Sequence, residues 1–115
     1  MLSGIRFEQG EIVIIPFPFS DLTSIKQRPV LILSNNRYND KAEDIVTCGI
    51  TSNLKNAEFS VIVNNKDLIC GGIPVKSRIK ADKIFTLKQS LIKKKIAKVN
   101  DNILNQIKKE IQKLI

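Results

Sequence analysis

The sequence predicts a mainly β protein of the α+β class, in which a small curled sheet or barrel of five to seven strands precedes a C-terminal α-helix. Three observations predict this fold. Short runs of β-branched and aliphatic residues recur along the chain, and turn-forming residues separate them. One segment with helical apolar spacing comes last. The 115 residues, 43% of them hydrophobic, suit a single domain spanning 1–115 with its own core.

The first two predicted strands are separated by a polar loop. Residues 10–18 are a β-branched run that begins with glycine and ends with two prolines, and they predict the first strand. Residues 19–27 are polar and rich in turn formers, which predicts a loop. Residues 28–34 predict the second strand, because Pro29 lacks a backbone donor and therefore suits the start of a strand.

The middle of the chain predicts further short strands. Residues 35–44 predict a polar connection with a helical turn, and residues 45–52 a third strand. Residues 58–64 alternate between apolar and polar positions, which predicts a fourth strand, and residues 65–72 predict a turn. Residues 73–87 predict either one long bent strand or two short ones.

The C-terminal segment has the clearest periodicity. Residues 91–99 predict a strand or a short helix, and Asn100 or Asp101 can cap the helix that follows. We expect one face of that helix to pack on the sheet. Its apolar residues recur every three or four positions: Ile103, Leu104, Ile107, Ile111, Leu114 and Ile115.

The charge of the chain is strongly basic and unevenly distributed. The formal net charge is +8, and the segment 76–98 carries nine basic residues against one acid, Asp82. Such a stretch attracts a polyanion such as a nucleic acid. A solvated lysine-rich face, with a composition typical of an A/T-rich genome, explains the same charge equally well.

The residue inventory excludes several classes of site. The chain has no histidine, so no Ser-His-Asp or Cys-His constellation exists. Cys48 and Cys70 lack zinc-ligand spacing, and we expect both to be buried and reduced, with a disulfide between them left open. No phosphate-loop motif, signal peptide or membrane-length apolar run occurs. We therefore expect a cytoplasmic protein without a metal or cofactor.

Arg28 is the first residue of the second predicted strand, which is apolar and expected to be buried. Pro29 restricts Arg28 to an extended backbone, so the guanidinium starts from a defined position and can bind a phosphate bidentately. Pairing with a carboxylate such as Asp21 is the structural alternative. Thr51 and Ser52 end the third strand, where they either donate hydrogen bonds to phosphate oxygens or form an ordinary turn.

A second charged pair and two aromatic residues are further candidates. Lys80 and Asp82 are two residues apart, which predicts one face of a strand, as functional groups or as an ion pair. Phe17 and Phe19 flank the first loop, where each either stacks on a base or packs in the core.

The ordered set of these segments resembles the MazF/PemK toxins of type II toxin–antitoxin systems. It comprises Gly-Glu-Ile-Val at 10–13, Arg-Pro-Val-Leu-Ile at 28–32, Ile-Thr-Ser at 50–52 and Lys-Ala-Asp at 80–82. The resemblance covers residues 10–115. It implies an SH3-like β-barrel, a homodimer, a cognate antitoxin that blocks the site, and metal-independent cleavage of single-stranded RNA such as mRNA. It leaves open that the toxin–antitoxin complex binds DNA.

The resemblance also implies roles for individual residues. Arg28 and Thr51 match the catalytic pair of the family, and Asp82 matches a third catalytic residue. Lys80 stands where the PemK branch has arginine. The residues expected to bind RNA are Ser20, Gln27, Ser52 and Lys80.

Metal-free cleavage of RNA uses the 2′-hydroxyl as nucleophile and leaves a 2′,3′-cyclic phosphate and a 5′-hydroxyl. Arg28 is suited to stabilise the developing charge, Thr51 to donate a hydrogen bond, and Asp82 to help with proton transfer. Two other functions fit the same residues less completely. One is a non-catalytic toxin of the CcdB type that binds a protein target such as gyrase; the other is a plain single-strand-binding barrel.

Overall fold

The computed structural model describes residues 5–18 and 25–115, and within these ranges seven strands form one antiparallel sheet accompanied by two α-helices. The strands lie in the order β4-β6-β3-β2-β1-β7-β5. Their bounds are β1 Glu11–Pro18, β2 Ile25–Ile32, β3 Asp44–Thr51, β4 Ser60–Val63, β5 Leu68–Gly71, β6 Ser77–Lys88 and β7 Lys94–Val99. The helices are α1 Asn36–Lys41 and α2 Asp101–Gln112.

The predicted mainly β fold with a C-terminal helix is confirmed. The segment 73–87 contains one long strand, and the segment 91–99 contains a strand. Two predicted connections were partly wrong. Residues 25–27 belong to β2, because the ladder between β1 and β2 continues to the Pro18–Ile25 pair. Residues 65–72 contain a 3₁₀ turn and the strand β5, which is held by pairing with the distant β7.

The apolar residues form two clusters, because successive side chains of a strand point to opposite faces of the sheet. Neighbours such as Ile12 and Val13, or Leu31 and Val30, belong to different clusters. The cleft-side cluster comprises Phe7, Val13, Ile15, Val30, Ile32 and Ile45. The helix-side cluster comprises Ile12, Leu31, Cys48, Ile50, Val61, Val63, Ile73, Ile79, Ala81, Ala97, Val99, Ile103 and Ile107.

Helix α2 covers the helix-side cluster. The side chain of Asn100 accepts a hydrogen bond from the Ile103 N–H at 2.9 Å, so the predicted cap is confirmed. Ile103 and Ile107 are buried against the sheet. The apolar stripe extends further than the buried face, because Leu114 and Ile115 lie beyond the helix and are exposed.

The two cysteines have different environments. Cys48 is buried in the helix-side cluster, and desolvation by burial raises the pKa of its thiol to about 12. Cys70 is exposed, so the prediction that it is buried was wrong. The reason is that Cys70 lies on β5, a strand at the edge of the sheet. Both thiols are free, so the disulfide left open by the sequence does not form.

The strand β5 is fitted closely against β7. Gly71 has φ +75°, and a Cβ atom there would lie 2.6 Å from the Cα atom of Ala97 and collide with the Ile96 carbonyl. Only glycine allows this backbone approach. In the described part of the chain, neither helix has the length and apolar character needed to span a bilayer.

Candidate functional site

A cleft of about 420 Å³ lies beside the cleft-side cluster. Its lining combines apolar side chains with three charged residues that come from two strands. The lining residues are Phe17, Arg28, Pro29, Val30, Gly49, Ile50, Asp82, Lys83, Ile84 and Phe85.

The cleft lies where two neighbouring strands stop pairing. The ladder between β2 and β3 ends at the Val30–Gly49 pair, whereas β2 remains paired with β1 as far as Ile25. Arg28 therefore lies in a segment of β2 that, among the described strands, pairs with β1 but not with β3. The Arg28 side chain is half-buried and lines the cleft.

Thr51 reaches the same region of the sheet from β3. Arg28 is two residues before Val30, and Thr51 is two residues after Gly49. Because β2 and β3 are antiparallel, the two residues lie on the same side of the Val30–Gly49 pair and equally far from it. Alternation assigns both to the face of Val30 and Gly49. Thr51 does not itself line the cleft, although Gly49 and Ile50 do. Its hydroxyl accepts a hydrogen bond from the Asn53 N–H at 3.1 Å.

Asp82 lines the cleft at a point where the pairing of β6 with β3 is irregular. Cys48 pairs with Ile84, but the next residue of β3, Gly49, pairs with Lys80. Residues 81–83 therefore form a bulge, and such bulges redirect side chains out of the regular alternation. Ala81 is buried, while Asp82 is exposed and lines the cleft.

Lys80 has a different position from the one that simple alternation predicts. It is half-buried, pairs with Gly49 on one side and Ser60 on the other, and does not line the cleft. The prediction that Lys80 and Asp82 share a face assumed regular alternation along the strand. The bulge at 81–83 interrupts that alternation. The alternative interpretation, an ion pair between these two side chains, does not hold in the described ranges, where no salt bridge joins them.

The remaining predicted RNA-binding residues lie outside the cleft lining. Gln27 is exposed on β2, and Ser52 is exposed just after β3. Ser20 and Phe19 lie outside the described residues, as does Asp21, the alternative partner of Arg28.

Two aromatic rings meet at the cleft. Phe17 is 42% exposed, and its ring lies edge-on to the ring of Phe85 with centroids 6.1 Å apart. Sequence reasoning did not select Phe85 or Lys83. The alternating apolar pattern of β6 was the available signal for Phe85, whereas nothing local indicates the bulge that places Lys83.

Part of the basic segment 76–98 serves the structure. The guanidinium of Arg78 is buried and donates hydrogen bonds to the Ser60 hydroxyl at 2.8 Å and to the Leu54 carbonyl at 3.2 Å. Lys95 forms an ion pair with Glu11 at 3.2 Å. The charge of this segment is therefore not a single binding surface.

The described residues contain no group of three or more Asp, Glu, Cys or His side chains placed to hold one metal ion. The charged groups at the cleft are two cations and one carboxylate, Arg28, Lys83 and Asp82. This combination can bind an anion such as a phosphate and exchange a proton beside it.

Comparison with protein families gave a match over residues 8–115 to the family described as "PemK-like, MazF-like toxin of type II toxin-antitoxin system". A comparison with curated proteins gave no match. Similar solved structures include a mycobacterial endoribonuclease in complex with its cognate antitoxin, at 20% identity and a TM-score of 0.77 over 93% of this chain and 92% of that one.

Two other similar structures come from different bacteria. MazE-MazF (Form-III) from Deinococcus radiodurans has 22% identity and a TM-score of 0.75, with 96% of each chain covered. The toxin MazF-mt6 of Mycobacterium tuberculosis has 19% identity and a TM-score of 0.72, over 90% of this chain and 93% of that one. The TM-scores of 0.72 to 0.77 show that this chain shares the fold of these structures, so the predicted fold class is confirmed.

Proposed function

We propose that this chain, which belongs to the PemK-like, MazF-like toxins of type II toxin–antitoxin systems, is an endoribonuclease that cleaves single-stranded RNA. The observation that carries the proposal is the cleft itself. Arg28 from β2 and Asp82 from β6 line the same cavity although they are 54 positions apart in the sequence. A guanidinium and a carboxylate beside an apolar cavity suit a nucleotide with its phosphate.

The proposed reaction needs no metal. The 2′-oxygen attacks the adjacent phosphorus, the bond from phosphorus to O5′ breaks, and a 2′,3′-cyclic phosphate and a 5′-hydroxyl are formed. Negative charge grows on the phosphoryl oxygens in the transition state. Arg28 stabilises that charge, and Thr51 donates a hydrogen bond to the same group.

Proton transfer is assigned to Asp82. A guanidinium stays protonated at neutral pH, so Arg28 binds charge and does not act as the base. The carboxylate of Asp82 is exposed and forms no hydrogen bond or ion pair within the described residues, so it is available to accept the proton of the 2′-hydroxyl. Solvent water at this open cleft protonates O5′ as it leaves.

The apolar part of the cleft is proposed to hold a base. Phe17 and Phe85 offer aromatic surface there, and stacking on aromatic side chains is the usual way that single-stranded RNA is held. We retain three further residues near the cleft as proposed RNA contacts, Gln27, Ser52 and Lys80. Ser20 is also a proposed contact, and it lies outside the described residues.

The partners are proposed from the relatives. One similar structure is a complex of an endoribonuclease with its cognate antitoxin, and others are MazE-MazF complexes. We propose that this chain, as one domain and as a homodimer, binds an antitoxin that covers the cleft. An acidic antitoxin segment would complement a chain with a net charge of +8.

The experiment that tests the function is cleavage of a long single-stranded RNA in the presence of EDTA. We expect discrete fragments whose 5′-hydroxyl ends are labelled directly by polynucleotide kinase. Arg28→Gln should lower the rate by about 10²–10³, as the loss of a preorganised donor typically does. Arg37→Gln is the matched control, because Arg37 is exposed on α1 and loses the same charge. RNA left intact by the wild type would refute the proposal and favour a non-catalytic toxin.

A further inference from the structure

We propose that Lys83 is the second phosphate-binding cation of this cleft, opposite Arg28, and that it, and not Lys80, contacts the RNA backbone at the site of cleavage. The inference depends on the proposed ribonuclease function and assigns it a residue that simple strand alternation does not select.

The bulge in β6 determines the backbone position of Lys83. Residues 81–83 are the three extra residues between the Gly49–Lys80 and Cys48–Ile84 pairs. A Cβ atom placed on Gly49 would lie 3.7 Å from the Cβ atom of Lys83. The Lys83 side chain therefore begins beside Gly49, within ordinary contact distance of the point where a side chain at position 49 would begin.

The location of Gly49 makes this contact informative. Gly49 is the last residue of β3 that pairs with β2, and Val30, its partner, is two residues from Arg28. In the sheet, β3 lies between β2 and β6. Arg28 and Lys83 thus approach the cleft from the two strands that flank β3, and a phosphate between them would face a cation on each side.

The charge of Lys83 is not neutralised by another group in the part of the chain that the structure describes. The side chain is exposed and forms no hydrogen bond or ion pair among the described residues. By contrast, Lys95 and Lys98 of the same basic segment are paired with Glu11 and Glu8 at 3.2 Å each. An unpaired cation in a partly enclosed apolar cleft attracts a phosphate more strongly than one in bulk water does.

Lys80 is the competing candidate and is less suited to the role. It is half-buried between two ladder partners, Gly49 and Ser60, and does not line the cleft. A conventional β-strand without the bulge would have favoured it, since it would then share a face with Asp82.

The test compares Lys83→Met with Lys80→Met and with Lys66→Met. Lys66 is an exposed lysine beside β5, at the other edge of the sheet, so it controls for the loss of one charge. After the cut site has been mapped, kcat/KM is measured on a short RNA that contains it. We expect Lys83→Met to lower kcat/KM by about tenfold to a hundredfold, as loss of a charge-assisted hydrogen bond does, and Lys83→Arg to recover most of it.

Binding of an uncleavable probe separates contact from turnover. The probe is the same RNA with a 2′-O-methyl group at the attacking nucleotide. Lys83→Met should reduce the dependence of log affinity on log salt by about 0.7, the value for one phosphate contact on a single strand. A methylphosphonate at the scissile linkage should weaken binding by the wild type more than binding by Lys83→Met.

The outcomes distinguish the two proposals. Efficient cleavage by the wild type and by Lys83→Met, with a loss only in Lys80→Met, would overturn the role of Lys83 and leave the ribonuclease intact. A methylphosphonate effect equal in wild type and Lys83→Met would also overturn it. A wild type that leaves a long single-stranded RNA intact would overturn both, because there would be no cut site at which Lys83 could act.

Discussion

The two apolar clusters of this protein share the strands β1, β2 and β3, but they differ in what covers them, and the helix-side cluster also draws on β4, β6, β7 and α2. The helix-side cluster lies under α2, whose Ile103 and Ile107 are buried against it. The cleft-side cluster leads to Phe17 and Phe85 and to an open cleft. Alternation along a strand supplies apolar residues to both faces. Among the described residues, α2 covers the helix-side cluster, whereas the cleft-side cluster borders an accessible cavity.

The chemistry of the two faces differs accordingly. In the helix-side cluster even the Cys48 thiol is desolvated, which raises its pKa to about 12 and keeps it protonated. At the cleft, three charged residues line the cavity, Arg28, Asp82 and Lys83, and the last two are exposed. Stability and activity should therefore respond to different substitutions.

The largest expected effect is on the cleft side. Asp82→Asn should lower the rate of RNA cleavage by about 10²–10⁴, the usual contribution of a general base, without changing the melting temperature. Glu58→Gln is the control, since Glu58 is exposed and lies outside the cleft lining. Unchanged cleavage by Asp82→Asn would remove this carboxylate from the mechanism and would assign the proton transfer to another group.

A comparable change on the helix side should affect stability alone. Ile107 is fully buried, so Ile107→Ala should lower the free energy of unfolding by about 2–5 kcal/mol, measured by urea titration. Ellman's reagent should then modify the buried Cys48 faster, while its reaction with the exposed Cys70 stays the same. Leu114→Ala, at an exposed position, should do neither. A parallel loss of kcat well below the melting temperature would show that the two clusters are coupled.

A smaller loss of stability is expected at the edge of the sheet. Gly71→Ala combines a positive φ with a collision against the backbone of β7, and should destabilise the fold by about 1–3 kcal/mol. The adjacent Gly72→Ala is the matched control, because its added Cβ meets only Asn65 Oδ1 at 3.6 Å. Equal melting temperatures for the two variants would mean that β5 shifts to accept the side chain.

The smallest expected effect concerns the start of the covering helix. Asn100→Ala removes the acceptor for the Ile103 N–H and should cost about 1 kcal/mol of unfolding free energy, whereas Asn100→Asp should retain most of it. Asn102→Ala, at an exposed position of the first turn, serves as control. RNA cleavage should be unaffected in all three. A loss of cleavage in Asn100→Ala at full folding would contradict the separation of the two faces.

The features predicted correctly from the sequence depend on local patterns. Alternation predicted most of the strands, helical spacing predicted α2, and the polar side chain before Ile103 predicted its cap. Arg28 and Asp82 were selected by residue type and by resemblance, and the structure brings both to one cleft. Thr51 lies on β3 next to residues that line the cleft but does not line it itself. The reactivity of all three residues stays a prediction.

The set of elements and the kinds of charged group available follow from the local sequence, because hydrophobic period, capping and turn chemistry act between residues close in the chain. Strand pairing over long sequence distances sets three other features: where β2 and β3 separate, which residues of β6 form the bulge, and that Arg78 is buried while Lys83 lines the cleft. Each of these depends on which strands pair and in which register. Register is set by the burial of a whole sheet face, which no short stretch of sequence contains.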